Sequence, residues 1–113
     1  MKIKREQSIC EWAGVEPQQP EGKSKLGLAL STLGKIPING LRHNPENGTN
    51  GWYIWCGEEM SQDTDFFSPL HFEHIDEYLP QLKEYLSLPP GYRFLIDGNN
   101  YEDVWYDPEL LNA

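Results

Sequence analysis

His71 and His74 stand three residues apart with Glu73 between them, so one helical turn could bring two imidazoles to one face as metal ligands. The pattern is not HExxH and spacing supplies no third ligand, so histidines at the start of a surface helix are the simpler reading. Two carboxylate groups follow the same logic. Glu58, Glu59, Asp63 and Asp65, and further on Glu102, Asp103 and Asp107, could supply an acid and base pair or a divalent cation site. Either role needs carboxylates that converge in space, which spacing alone does not show. Asp63 to Asp65 does not match an EF-hand loop, which wants Gly at the sixth and Glu at the twelfth position. A solvated or partner-facing acidic rim is the simpler expectation. No GxSxG, GxGxxG or P-loop is present, and neither Cys10 nor Cys56 has a recognisable orienting base beside it. The dipeptides Asn39-Gly40, Asn47-Gly48 and Asn50-Gly51 read as turns and not as phosphate cradles.

Aromatic side chains are the remaining candidates. In a strand through Trp52, Tyr53, Ile54, Trp55 and Cys56, alternation sends Trp52, Ile54 and Cys56 to one face and Tyr53 and Trp55 to the other. Trp55 near Glu58 and Glu59, and Trp105 near Asp103 and Asp107, would suit protein binding, with an aromatic anchor and an acidic rim. The competing reading places each tryptophan in the core.

Elements must hold these groups in place. Ile9, Trp12 and Val15 form an apolar patch the length of one helical turn, and Pro17 to Gly22 has linker composition. Residues 1–23 are therefore read as a loosely organised N-terminal extension and residues 24–113 as one domain. Ser24 as N-cap, Leu26, Ala29, Leu30 and Leu33 at helical spacing, and Gly34 at C′ predict a short amphipathic helix over 25–33. Lys35 to Gly51 is dense in Pro, Asn and Gly and predicts a long loop. Trp52 to Cys56 predicts a central strand, the first of the sheet. Glu58 to Asp65 reads as a loop that Phe66 and Phe67 pin down. Apolar spacing over 72–86 predicts helix, with Pro80 either kinking it or opening a second helix at N1. Tyr92 to Ile96 and Val104 to Tyr106, joined through Asp97 to Asn100, predict a hairpin. Without regular βαβ alternation the expected fold is α+β, an antiparallel sheet with a C-terminal hairpin packed by two or three short helices.

The 113 residues suit one domain and one core. Two distant cysteines make a disulfide framework or structural zinc unexpected, and Cys56 reads as a small core residue. No apolar run approaches a membrane helix, and Met1 to Cys10 has basic residues but no following apolar stretch, so the expectation is a cytoplasmic protein without cofactor. Charge is unevenly spread. Residues 1–50 hold seven Lys/Arg and five Asp/Glu (+2), and residues 51–113 hold two and thirteen (−11), which together make the net −9. Such a field repels nucleic acid and anionic membrane and attracts basic protein surfaces or cations.

Several motifs occur together: Asn39-Gly40-Leu41-Arg42-His43, Gly51-Trp52-Tyr53-Ile54-Trp55-Cys56-Gly57-Glu58, Pro69-Leu70-His71, Pro89 through Ile96, and Tyr101 through Asp107. In this order they resemble the bacterial immunity-protein family numbered thirty-three in the polymorphic toxin classification, over about residues 34–111, with residues 1–23 outside it. The resemblance implies an α+β domain, encoded beside a toxin gene, that neutralises a cognate protein toxin by direct binding. It transfers a role and no site residues. The leading expectation is thus a non-enzymatic toxin inhibitor whose surface includes Trp55, Glu58, Glu59, Asp63, Asp65, Glu102, Asp103, Trp105 and Asp107. A small ligand- or metal-binding module with a pocket at His71 and His74 is the alternative. A hydrolase would need two of the carboxylates to meet in a cleft.

Overall fold

The structure is a computed structural model that describes residues 8–46, 48–61, 63, 65–98 and 101–112. Strands β1 (Lys25–Leu28), β2 (Ile38–Arg42), β3 (Thr49–Cys56), β4 (Ser68–His71), β5 (Tyr92–Ile96) and β6 (Glu102–Tyr106) form one six-stranded sheet. Their spatial order is β4-β1-β3-β2-β5-β6, so β4 and β6 are the edges. Every neighbouring pair is antiparallel except β1 with β3. Among the described residues helix is sparse: α1 (Ile9–Ala13) and five 3-10 segments, Leu30–Thr32, Phe72–Glu77, Pro80–Leu82, Tyr85–Ser87 and Pro108–Asn112. The fold is α+β in the loose sense, with a mostly antiparallel sheet and less helix than the sequence suggests.

One sheet face carries the main core. Trp52, Ile54 and Cys56 of β3 lie there as alternation requires, with Leu26, Leu28, Phe94 and Ile96 from neighbouring strands. The segment from Phe72 to Ser87 covers this face through Phe72, Ile75, Leu79, Leu82, Tyr85 and Leu86. The expected helical spacing does bury these side chains, but the backbone is three short 3-10 pieces. Leu79, held at φ −141° and ψ 70° ahead of Pro80, interrupts the first, and Pro80 opens the next at its N-terminus. Ile9 and Cys10 also enter the main core, with Ala13 and Val15 packed against it. Ser8 and Glu11 form a capping box for α1, and Gly14 ends it in the left-handed conformation. The thiols of Cys10 and Cys56 are buried, which raises both pKa values above the usual range, and Cys56 packs as a core residue.

Two expected elements are corrected. The helix over 25–33 is instead β1 followed by a 3-10 turn at Leu30–Thr32. Leu26 and Leu28 alternate inward around Gly27, where a Cβ would stand 2.8 Å from the Tyr53 ring. Pairing with both β3 and β4 outweighs the helical spacing of a short apolar run. Ser24 is no N-cap, since its hydroxyl donates back to the Glu21 carbonyl (2.6 Å). The loop over 35–51 contains β2 and the start of β3, so Trp52–Cys56 belongs to the third strand of the chain and not the first. Asn39-Gly40 therefore sits inside a strand. Asn39 donates its amide to the Gly57 carbonyl (2.8 Å), and a Cβ at Gly40 would lie 2.2 Å from the Phe94 ring. Gly40→Ala is expected to cost about 1–3 kcal/mol, because the ring must leave its rotamer in a filled core. A urea midpoint unchanged from wild type would show that Phe94 moves freely.

Arg42 ties the layers together. Its guanidinium is buried and donates to three backbone carbonyls: Nε to Asn50 (2.8 Å), and Nη1 to Gln18 (2.8 Å) and to Leu88 (2.7 Å). It also lies 5.7 Å from the Trp52 ring centre. Burial lowers its pKa to about 10, which leaves it cationic at neutral pH.

Candidate partner-binding surface

The second sheet face is only partly covered. Phe66, Phe67 and the C-terminal turn bearing Leu110 close over Tyr53, Trp55, Leu41 and Ala29. Registers place the expected surface residues across the sheet. One row runs Trp55, Asn39, Leu95, Asp103, and the next on the same face runs Tyr53, Leu41, Arg93, Trp105. Trp55 and Asp103 are thus about 14 Å apart, three inter-strand spacings. Glu102 belongs to the row Cys56, Ile38, Ile96 on the opposite, main-core face, where it accepts a hydrogen bond from the Tyr85 hydroxyl. Successive strand residues alternate, so Glu102 and Asp103 do not converge on one centre.

Trp55 is 5% exposed and packs against Phe67, with ring centres 6.3 Å apart. It holds the surface from beneath and is no exposed anchor, because the Phe66–Phe67 segment covers it. Trp105, at the edge and 37% exposed, keeps a ring in solvent. The Arg93 guanidinium lies 5.4 Å from its centre and also binds Asp107 (3.3 Å). Asp107 accepts the Glu109 backbone N–H as well, so its charge is largely spent within the molecule. Asp103 accepts from the exposed Tyr101 hydroxyl at 3.4 Å.

Glu58 and Glu59 leave β3 through Gly57, which has φ +95°, and stand exposed. They line an open groove of about 730 Å³ together with Lys35, Ile36, Met60 and Phe66. Among the described residues neither makes an ion pair. Asp63 and Asp65 follow on the same loop and are exposed, and Gln62 and Thr64 lie outside the described residues. The register Ile38 with Cys56 and Ile96, and Ile96 with Glu102, puts the start of this loop and the start of β6 at one end of the sheet. Two apolar members were missed by sequence reasoning. Ile36 is 60% exposed, and Met60 lines both this groove and a neighbouring hollow of about 360 Å³ beside His43 and Tyr53. Single apolar residues between turn signals have no period to reveal them.

His71, Glu73 and His74 are exposed at the far edge, with ligand atoms all within 4.8 Å of one another. Among the described residues no helix is long and apolar enough to cross a membrane.

The domain is thus a six-stranded, mostly antiparallel sheet with short helical cover on one face and an acidic, partly apolar loop after β3. The chain belongs to the Imm33-like domain family, whose model matches residues 5–107. No curated protein and no solved structure matches the chain. The match begins well before residue 24, in agreement with the packing of Ile9 and Cys10. Residues of the motifs that carry the resemblance are largely scaffold: Asn39, Gly40 and Arg42 hold strands and loops in register, and at Gly51, with φ +89°, a Cβ would fall 1.9 Å from the His43 carbonyl oxygen.

Proposed function

We propose that this chain is an immunity protein that neutralises a toxin by direct binding, acting in the cytoplasm without catalysis or cofactor. Membership of the Imm33-like family carries the reading. The chemistry of the surface supports its direction. Glu58, Glu59, Asp63 and Asp65 are exposed beside Ile36 and Met60, and Asp103 and Trp105 continue the same side of the sheet. Unspent carboxylates bordering apolar side chains suit a basic protein face, with charge steering the approach and apolar contact holding the complex. The net charge of −9 disfavours nucleic acid and anionic membrane as partners. Glu102, turned to the other face, and Asp107, bound to Arg93, contribute to the field more than to contact.

The test is co-expression in a susceptible bacterium with the toxin domain encoded next to this gene, followed by affinity capture. Restored growth with a one-to-one complex is the expected result. Persistent toxicity with no complex formed would remove the immunity role.

A further inference from the structure

The segment Phe72–Glu77 is a 3-10 helix, and this matters for three side chains that sequence spacing left ambiguous. A 3-10 helix has three residues per turn, so residues three apart eclipse one another instead of fanning out. His71 at its N-cap, His74 and Glu77 therefore form a column, with Glu73 beside it. The backbone beneath is fixed: His71 pairs with Lys25 across the sheet, the Phe72 and Glu73 N–H groups donate to the Ser24 and Gly22 carbonyls (2.8 and 2.9 Å), and Phe72 and Ile75 are buried.

We propose that His71, Glu73 and His74 form a surface site for a divalent transition metal of the zinc type. The ligand atoms of the three residues lie within 4.8 Å of one another, and His74 Nε2 is 3.8 Å from Glu73 Oε1. Zinc bonds to nitrogen and oxygen of about 2.0–2.2 Å need ligand atoms somewhat closer, a change within reach of exposed side-chain torsions. Glu77 supplies a second, independent feature. Its Oε2 lies 2.6 Å from His74 Nδ1, and since a carboxylate only accepts, Nδ1 carries the proton and Nε2, 3.8 Å from Glu73 Oε1, keeps its lone pair. This is the outer carboxylate that orients metal-binding histidines. Two imidazoles and one carboxylate leave a fourth position for water or a partner's side chain. The remaining histidine, His43, belongs to no such cluster, and among the described residues no other three His, Cys, Asp or Glu ligand atoms come together, both cysteines being buried.

The site is independent of toxin neutralisation, and its test needs no toxin. Zn²⁺ is titrated calorimetrically into the purified full chain, and into His71→Ala, His74→Ala and Glu77→Gln, with circular dichroism to confirm folding. All three substituted positions are exposed. The expected result is one Zn²⁺ per chain, with affinity lowered about 10- to 100-fold by Glu77→Gln and by more in either histidine variant. A histidine variant that binds as wild type does, a Glu77→Gln curve that superimposes on it, or an absence of saturable binding would each overturn the site.

Discussion

Replacing Arg42 by alanine is expected to destabilise the fold by about 3–5 kcal/mol, the cost of leaving several buried carbonyls without their donor. That is a large share of the roughly 5–15 kcal/mol that holds a domain together. The effect comes from what Arg42 leaves behind. The carbonyls of Gln18, Asn50 and Leu88 belong to segments far apart in sequence, and one guanidinium bonds to all three. Removing it strands buried acceptors, each costing about 1–3 kcal/mol when unsatisfied, and frees the N-terminal segment from the sheet. Lysine keeps the charge but not the planar fork, so Arg42→Lys should recover less than half of the loss. Urea unfolding of the three proteins measures this directly. A loss below about 1 kcal/mol for alanine would mean that water replaces the guanidinium.

The second large effect is expected on association. Changing Glu58, Glu59, Asp63 and Asp65 to Gln or Asn moves the net charge from −9 to −5, four carboxylates fewer. At low salt the rate of binding the cognate toxin should fall about 10-fold or more, and the difference should shrink at high ionic strength as the Debye length contracts. Dissociation should change little, because steering acts before contact. Trp105→Ala should show the reverse pattern, faster release with near-normal capture. Association unchanged in the fourfold variant would move the docking surface away from the loop after β3.

The parts of this molecule that could be read from sequence are those where one pattern dominates. Trp52 to Cys56 alternates without competition, and its two faces are as expected; the hairpin of β5 and β6 has a turn-rich joint between two apolar runs. β1 and β2 were hidden for opposite reasons. Leu26 to Leu33 has helical spacing, and only the presence of strands on both sides makes Lys25–Leu28 extended. Asn39-Gly40 has turn chemistry, and only the Phe94 ring explains a glycine inside a strand. Tertiary partners supplied by distant chain cannot be seen locally. The same holds for the surface. Acidity in the second half was plain, but which carboxylates are already occupied, as Asp107 is by Arg93, depends on strand register.

The two edges of the sheet have a consequence for crowding. An open edge strand is a template on which a second copy of the same chain can add its own strand, the first step toward aggregation. Here β4 carries Pro69, which has no N–H to offer, and β6 carries Glu102 and Asp103, whose charges a second copy adding its own β6 would have to accommodate. Acidic side chains on the edge thus work against self-association, and under the proposed reading the same field would draw a basic partner.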